Sequence, residues 1–437
     1  MKRMISLCLS VCLLCAALGG AAAAGTTPLR IIGMSGLGYY TQEQFNELYP
    51  DLPVEDVPFE SSSEEENNAR ELLLGGNWDV AEIEVGSQWT TDITLQELYD
   101  LGLAMDLGAD AALAEKAEAL FPAVKDAVTA DGKLAGIPCT IFRKVMQLSL
   151  YTPQGDTESP FQNLGFTQAD IPQTFTDLCD LAEAYAALPK SERKGTAFDI
   201  DCISVSSYRY FLNYLIELYT AEFCDEAGNV NYDTPAFRAA LDDLQRMSDA
   251  LDTGKAFTYG KDGSAWGVIH DAGSELAGSS EDNRDLNLYL ENSESIPARM
   301  SVLIINPATT NLENALRLVS ILVDQEYVQF APLLYTDTEY NELVRRAYEE
   351  DVAFMELWED EYLDTYIELY ADNPEAHYMY SRAQLEDYRQ NVAPYLTFHP
   401  VPRVSADTAV RTYLKNNKLD VEGLIRYLND SVRTEEE

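Results

Sequence analysis

The side chains that most often carry catalysis stand far apart in this sequence. Its three histidines, His270, His377 and His399, form no HExxH arrangement, and the chain contains neither a GxSxG nucleophile elbow nor a GxxxxGK[ST] phosphate loop. Carboxylates are so abundant that spacing alone does not exclude a glycosidase pair. The acidic stretches lack the D-x-D-x-D-G spacing of a calcium loop. The sequence therefore predicts a protein that is not an enzyme and that carries neither a metal nor another cofactor.

Residues 1–24 have the pattern of a secretory signal peptide. A basic head precedes an apolar core, Met4 to Leu18, and a small-residue cleavage site, Ala22 to Ala24. The apolar core is too short for a membrane anchor. Cys12 offers a lipidation site, but the valine before it disfavours a lipid anchor. We therefore expect a secreted, extracellular protein that is associated with the cell surface.

The net charge of the chain argues against some classes of binding partner. The full sequence has 30 basic and 74 acidic residues, a net charge of −44. Removal of the signal peptide takes two basic residues, so the mature charge is 28 − 74 = −46. Such a charge argues against nucleic acids, and against a membrane surface unless a permease or a lipid anchor brings the protein there. It weakly favours a cationic or neutral ligand, although an acidic surface is also ordinary for a secreted protein.

Four cysteines remain after the signal peptide: Cys139, Cys179, Cys202 and Cys224. Four in so long a chain do not form the disulfide framework of a small secreted domain. Cys139 lies in a strand pattern and Cys179 in a helical pattern, where buried free thiols are common. The sequence leaves open a bridge between Cys202 and Cys224, and the absence of CxxC gives no indication of a metal or redox motif.

The mature chain begins with an alternation of strands and helices. A strand over Leu29 to Gly33 precedes a helix opened by the capping box Thr41-x-x-Gln44, and strands over 51–59 and 79–85 flank a second helix. This order predicts a parallel sheet flanked by helices. Ligands bind beyond the carboxyl ends of the strands in such sheets. The rule points to three loops: Met34 to Tyr40, Gly86 to Trp89 and Thr140 to Arg143.

The stretch Asp131 to Tyr151 joins a turn signal to two apolar runs. Asp131-Gly132 favours a turn, and the runs on either side of Pro138 favour buried strands. We predict that the first strand completes one lobe and that the second carries the chain into another. Thr140, Phe142 and Arg143 would then face a cleft. An ordinary hairpin with a polar tip explains the same pattern equally well.

Five short motifs occur in a fixed order along most of the chain. They are Asp79-Val80, the stretch Leu98 to Leu107, the sequence DGKLAGIP from Asp131 to Pro138, Pro172 to Leu178, and Arg299 to Leu318. Together they resemble the motifs of the family-one extracellular solute-binding proteins of bacterial ABC importers. The acidic stretch from Leu333 to Tyr395 departs from the compact members of this family.

The resemblance implies an α/β, two-lobed periplasmic-binding-protein-like fold with hinge crossings and a C-terminal helical extension. The N-terminal lobe would comprise residues 25–148 and about 300–330. The C-terminal lobe would comprise 149–299 and about 331–437, including the acidic helical insertion. The hinge crossings would lie near Met146 to Tyr151, near Ile296 to Ser301 and after Val323, and closure around a ligand would be a hinge motion.

The resemblance also implies a monomer that captures a small-molecule solute, most often a sugar, and presents it to ABC transporter permease subunits. Family members commonly hold sugars by aromatic stacking and planar polar groups. The candidate ligand-binding residues carry such side chains near a predicted strand end or turn: Tyr39, Tyr40, Trp89, Phe142, Arg143, Tyr208 and Trp266. Packing or simple surface exposure is the ordinary alternative for each. Glu82 and Glu84 share a strand face, whereas Trp78 and Trp358 are expected to be structural.

Two other functions are compatible with the same fold. A cationic solute, such as a polyamine or a basic peptide, would be drawn by the negative field and would favour aligned carboxylates in the cleft. An adhesion or interaction protein would use the acidic insertion as a partner surface and would never close around a small solute.

Overall fold

The computed structural model describes the central elements of both halves of the chain. The described residues are 27–33, 41–57, 65–86, 93–149, 174–187, 189, 197–199, 207–225, 227–251, 265–274, 286–287, 289–290, 295–323, 330–358, 360–402, 404–415 and 418–433. The predicted signal peptide, including Cys12, lies outside these residues. Among the described residues, no helix combines the length and the apolar character needed to cross a membrane.

In the described part of the chain, eight strands form the main sheet, and six short strands form three small pairs. The strands are β1 (Leu29–Ile32), β2 (Val54–Asp56), β3 (Val80–Val85), β4 (Thr129–Ala130), β5 (Lys133–Leu134), β6 (Ile137–Ser149), β7 (Ala197–Asp199), β8 (Ala265–Ser274), β9 (Leu286–Asn287), β10 (Ile296–Pro297), β11 (Arg299–Ile305), β12 (Leu396–Thr397), β13 (Leu414–Lys415) and β14 (Lys418–Leu419).

The main sheet has the strand order β2-β1-β3-β11-β6-β8-β7, and β9 also pairs with β6. β1 runs parallel to both β2 and β3, as the alternation of strands and helices predicted. β11 returns antiparallel between β3 and β6. β3 and β6 therefore point in the same direction. β3 ends level with Ile141 of β6, and β6 continues beyond that level to Ser149.

β6 is one continuous strand rather than the two runs expected on either side of Pro138. Ile137 to Phe142 pair with β11, and Arg143 to Ser149 pair with β8. The turn Asp131-Gly132 instead closes the small hairpin of β4 and β5, with φ values of 50° and 72°. β6 thus joins β11 to β8, whereas its course from one lobe into the other stays a prediction.

Helices cover the sheet and build the C-terminal part. Their bounds are Gln42–Leu48, Glu65–Gly75, Leu95–Asp100, Ala111–Glu118, Pro122–Ala127, Phe175–Ala187, Ser207–Phe223, Pro235–Leu251, Leu312–Ile321, Ala331–Leu334, Tyr340–Leu357, Leu363–Tyr370, Arg382–Asp387, Ala406–Tyr413 and Val421–Arg433. The predicted capping box of Thr41 and Gln44 is present. Thr234 likewise caps the helix that begins at Pro235, since its Oγ1 accepts a hydrogen bond from the Phe237 amide at 3.2 Å.

The buried apolar side chains form two separate cores. The first contains residues between Leu29 and Ile141 and between Ile296 and Phe398. The second contains residues between Phe175 and Leu290 and between Ala406 and Leu428. Residues 330–398 thus pack on the first core, although the predicted lobe boundaries assign everything after 331 to the second lobe. The assignment of residues to each lobe stays a prediction.

Of the four cysteines after residue 24, Cys139, Cys179 and Cys224 are buried and form no disulfide bond. This confirms the expectation for Cys139 and Cys179. Cys202 lies outside the described residues.

Candidate functional site

The first part of the site is the carboxyl edge of the sheet, where glycines end two strands. Gly33 follows β1 with φ +72°, and Gly86 follows β3 with φ +86°. A Cβ atom at Gly86 would lie 2.3 Å from the carbonyl oxygen of Ala298, so the close backbone approach there requires glycine. The chain beyond each glycine, residues 34–40 and 87–90, lies outside the described residues.

Arg299 brings three elements together at this edge. Its Nη1 atom lies 3.5 Å from Oε1 of Glu84 on β3, and its Cζ atom lies 5.3 Å from the ring centroid of Phe142 on β6. The Arg299 and Glu84 side chains are 31% and 24% exposed. A partly exposed guanidinium, a carboxylate and an aromatic ring are therefore held together where the rule for α/β sheets places a ligand.

The strand register places further polar groups on the same face. Ser301 lies opposite Glu84 on one side and opposite Thr140 on the other, two residues along β11 from Arg299. The Ser301 amide donates a 3.3 Å hydrogen bond to Oγ1 of Thr140, and both residues are buried. Glu82 lies opposite Leu303 and is half-buried on this face. We call Glu84, Thr140, Phe142, Arg299 and Ser301 the edge cluster.

Phe330 fixes the position of the aromatic ring in the edge cluster. The rings of Phe142 and Phe330 meet edge to face, with centroids 5.3 Å apart, and Phe330 is buried. Phe142 is thus half-buried, packed on the first core through one side and on Arg299 through another. This ring geometry is the favourable one for aromatic pairs. The arrangement can bind hydroxyl groups through the carboxylate and guanidinium and an apolar face through Phe142.

The predicted site residues fall into three groups. Phe142 belongs to the edge cluster. Tyr39, Tyr40 and Trp89 lie outside the described residues. For Arg143, Tyr208 and Trp266, only the backbone is described.

The backbone of each of these three residues lies in a strand or a helix. Arg143 pairs with Ser274 of β8, and Tyr208 lies in the first turn of the helix Ser207–Phe223. Trp266 lies at an irregularity of the sheet, because its neighbours Ala265 and Gly267 pair with Ala197 and Phe198, which are adjacent in β7.

The two tryptophans expected to be structural differ. Trp78 is 3% exposed, and its Nε1 donates a 3.0 Å hydrogen bond to the carbonyl oxygen of Leu73, so it is structural. Trp358 is 51% exposed at the end of the helix Tyr340–Leu357, so the expectation that it is structural is wrong. The three residues that follow it in sequence, Glu359, Asp360 and Glu361, are acidic, which was a signal for exposure.

Sequence reasoning missed Arg299, Ser301 and Phe330 as members or neighbours of the site. Arg299 had been named only as the first residue of the motif Arg299 to Leu318 and lay within the hinge crossing predicted near Ile296 to Ser301. Its role depends on the antiparallel insertion of β11 between β3 and β6, which brings together residues more than 150 positions apart. The available signal was a single charged residue at the start of an otherwise apolar strand.

The family-like motifs lie mainly away from the edge cluster. Asp79 Oδ2 accepts a 2.8 Å hydrogen bond from the Arg30 amide, and its Oδ1 accepts one from the Thr309 hydroxyl. Asn306 donates from Nδ2 to the carbonyl oxygen of Gly76 at 2.9 Å. These contacts tie β1, β3 and β11 together at the end of the sheet opposite Arg299. The motif residues Asp79 and Asn306 therefore hold the scaffold rather than the site.

No protein-family model matches the sequence, and no curated protein matches it either. Solved structures do match over nearly the whole chain. An ABC transporter solute-binding protein from Thermotoga lettingae, bound with alpha-D-tagatose, is 14% identical, with a TM-score of 0.53 over 94% of this chain and 99% of that one. Maltose-bound MalE3 of T. maritima is 17% identical, with a TM-score of 0.53 over 94% and 100%.

A third match is an ABC substrate-binding protein from Listeria monocytogenes in complex with cycloalternan. It is 13% identical, with a TM-score of 0.52 over 94% of this chain and 100% of that one. Likeness at this level of identity concerns the fold. The predicted fold class, a two-lobed periplasmic-binding-protein-like α/β fold, is confirmed.

Proposed function

We propose that this protein is an extracellular solute-binding protein that captures a sugar or oligosaccharide and delivers it to the permease of an ABC importer. The edge cluster is the observation that carries the proposal. It combines an aromatic ring, a guanidinium, a carboxylate and two hydroxyl groups at the carboxyl edge of the sheet. The solute-binding proteins with which the chain shares its fold are bound with tagatose, maltose and cycloalternan.

The course of β6 supports a cleft at this position. Phe142 is the last residue of β6 that pairs with β11, and the next residue pairs with β8. Phe142 packs on the first core, whereas the helix Ser207–Phe223 contributes to the second. We infer that the two cores are the cores of the two lobes and that the solute lies between them, beside Arg299. The two lobes would then close around the solute by a hinge motion through β6.

The composition of the edge cluster favours a neutral, hydroxylated solute. Glu84 is opposed by Arg299 at 3.5 Å, so the cluster does not present an uncompensated carboxylate. Carboxylates and guanidinium groups both form hydrogen bonds with sugar hydroxyls, and an aromatic ring packs on the C–H face of a sugar ring. No step of covalent chemistry is required of these groups in a binding role.

One observation favours the second candidate, a cationic solute. Glu82 shares the face of Glu84, so two carboxylates lie on the strand face that Arg299 contacts. The net charge of −44 would also attract a polyamine or a basic peptide. This candidate requires that Glu82, rather than Phe142 and Arg299, dominates recognition.

A thermal-shift screen of the mature chain from Gly25 tests both candidates. The panel comprises tagatose, maltose, longer and cyclic glucans, xylo-oligosaccharides, spermidine and lysine-containing peptides. A ligand present at about 100 times its Kd adds about 2.7 kcal/mol to the unfolding free energy, which is about 2 °C or more in a chain of this size.

A shift with one saccharide class and none with spermidine is the expected result. A shift with spermidine or lysine peptides alone would move the assignment to the cationic solute. No shift with any member of the panel would leave the fold in place and would argue against solute capture as the function.

A further inference from the structure

The acidic insertion presents a cluster of exposed aromatic side chains. The helices Tyr340–Leu357 and Leu363–Tyr370 pack against each other through Tyr348 and Tyr366, whose rings stack with centroids 5.8 Å apart. The turn between the helices carries Trp358 and Tyr362, which are 51% and 63% exposed. Phe354, one helical turn earlier, is 37% exposed, with its ring centroid 6.1 Å from that of Trp358. We call Phe354, Trp358 and Tyr362 the aromatic tip.

Hydrogen bonds fix the backbone of the aromatic tip. The Trp358 amide donates to the Phe354 carbonyl oxygen at 3.1 Å, and the Asp360 amide donates to the Met355 carbonyl oxygen at 2.9 Å. The Asp360 carboxylate accepts a 2.8 Å hydrogen bond from the Tyr362 amide. Below the turn, the Tyr366 hydroxyl donates to the Asp351 carboxylate at 2.9 Å. The exposed rings therefore stand on an ordered turn, so less conformational entropy is lost when a partner covers them.

The sequence that surrounds the aromatic tip carries charged side chains of negative sign only. Residues 351–381 include nine aspartates and glutamates and no lysine or arginine. The nearest arginines on the preceding helix are engaged locally, Arg345 with Glu342 and Glu349, and Arg346 with Glu350. An anionic membrane, a nucleic acid or a second copy of this acidic chain would be repelled here. A basic surface would be attracted.

We propose that the aromatic tip is a docking surface for a protein partner whose contacting face is basic and has an apolar pocket for Trp358. Exposed tryptophan and tyrosine side chains are the residues that most often dominate the energetics of protein interfaces. The surrounding carboxylates complement lysine and arginine side chains, which raises the association rate and selects the partner. A neutral glycan would stack on the rings without using the charge. This surface is independent of the edge cluster and of solute capture.

A binding experiment with a defined basic probe tests the proposal on the full mature chain. The probe is a fluorescein-labelled amphipathic peptide of lysine and leucine, and the matched peptide has glutamine in place of lysine. Anisotropy titrations are made with the unmodified protein, with Trp358→Ala, with Tyr362→Ala and with Leu101→Ala. Leu101 is a matched control because it is 58% exposed on a different part of the surface. Circular dichroism verifies that each variant is folded.

The proposal predicts binding of the lysine peptide that weakens at least about tenfold in Trp358→Ala and in Tyr362→Ala. Leu101→Ala should change the affinity less than about twofold, as expected for a surface site outside the interface. Raising the salt from about 50 to about 300 mM should weaken binding of the lysine peptide severalfold, because screening removes the attraction between exposed charges.

Three results would overturn the proposal. One is equal binding by the unmodified protein and Trp358→Ala. A second is the absence of binding to the lysine peptide at low salt. The third is Trp358-dependent binding of a neutral glucan or of phosphatidylserine vesicles in place of the peptide, which would make the tip a glycan or membrane site.

Discussion

Arg299 and Phe142 face each other across adjacent antiparallel strands, and the Cζ atom of Arg299 lies 5.3 Å from the ring centroid of Phe142. The same guanidinium reaches Glu84 on the other neighbouring strand. β11 therefore places one cation between a carboxylate and an aromatic ring that are 58 residues apart in the sequence. The proposed solute site is built on these contacts of Arg299 with Phe142 and Glu84.

Substitution of Arg299 by alanine is expected to weaken solute binding at least about tenfold, because a charged hydrogen-bonding partner of the solute is lost. Glu84→Gln should weaken binding less, since an amide still accepts a hydrogen bond. Isothermal titration calorimetry with the saccharide found in the screen measures both effects. Arg317→Ala is the matched control, because Arg317 forms its ion pair with Asp51 on the exposed surface. Equal affinity of Arg299→Ala and the unmodified protein would place the solute elsewhere.

Gly136 is required by packing rather than by backbone conformation. A Cβ atom at this position would lie 2.3 Å from Cγ1 of Val302, which is fully buried in β11. We expect Gly136→Ala to lower the unfolding free energy by about 1–3 kcal/mol, the usual cost of overpacking. Urea unfolding followed by circular dichroism measures the change.

Gly75→Ala is the matched control for Gly136→Ala. Gly75 ends the helix Glu65–Gly75, and a Cβ atom there would contact nothing within 4 Å. Alanine is a better helix former than glycine, so this variant should be unchanged or more stable by up to about 1 kcal/mol. Equal destabilisation of the two variants would contradict the close approach of Gly136 to Val302.

Asp79→Ala is expected to destabilise the fold and leave solute affinity unchanged. The Asp79 carboxylate accepts hydrogen bonds from the Arg30 amide and the Thr309 hydroxyl. Hydrogen bonds to a charged group contribute about 1.5–3 kcal/mol each, so a loss of about 3–6 kcal/mol is expected for the two bonds. Chemical denaturation measures stability, and calorimetry on the folded variant measures affinity.

The control for Asp79 is Asp126→Ala, because Asp126 is exposed on the helix Pro122–Ala127. It should change the stability by less than about 0.5 kcal/mol. A folded Asp79→Ala variant that had lost its solute affinity would show that the motif belongs to the binding site after all.

Glu350 should make the insertion less stable at alkaline pH. Burial, reinforced by the neighbouring Asp351 and Glu349, raises the pKa of Glu350 to about 7 against the opposing effect of Arg346. The folded state therefore holds the proton more tightly than the unfolded state, in which the pKa is about 4.3. The contribution of the protonated Glu350 carboxyl to the unfolding free energy is full below the pKa of the unfolded state. It is lost as the pH rises through about 7.

Thermal unfolding as a function of pH tests this assignment. Glu350→Gln, which mimics the neutral acid, should match the unmodified protein near about pH 4 and exceed its Tm above about pH 8. Glu342→Gln should behave in the opposite sense, because the hydrogen bond from Arg345 lowers the pKa of Glu342. That variant should have a lower Tm at neutral pH, with the difference fading in acid. A difference in Tm between Glu350→Gln and the unmodified protein that stayed the same at every pH would refute the assignment.

Cys224 should be unreactive in spite of its histidine neighbour. Its Sγ atom lies 3.2 Å from Nε2 of His399, a contact that could suggest an activated thiolate. Burial instead raises the pKa of Cys224 to about 12. Alkylation by iodoacetamide near pH 8, followed by peptide mass mapping, should therefore be at least about 100-fold slower in the native protein than in the unfolded chain. Rapid native alkylation would indicate a Cys–His pair poised for chemistry.

The local elements could be predicted because each depends on a few adjacent residues. Thr41 and Gln44 form the predicted capping box, Thr234 caps the helix that begins at Pro235, and Asp131-Gly132 forms a turn with positive φ values. Fold class followed from the order of these elements together with the resemblance to known motifs. Trp78 was correctly expected to be structural, whereas Trp358 was not, since exposure depends on what packs against a side chain.

The sequence by itself therefore determined the first parallel strands, the caps, the overall charge and the class of fold. Only the tertiary structure decided that β11 lies between β3 and β6, and hence that Arg299 meets Glu84 and Phe142. It also decided that residues 330–398 pack on the first core and that the aromatic tip is exposed. The physical reason is that periodicity and capping are local, whereas strand order and burial depend on contacts between residues far apart in the chain.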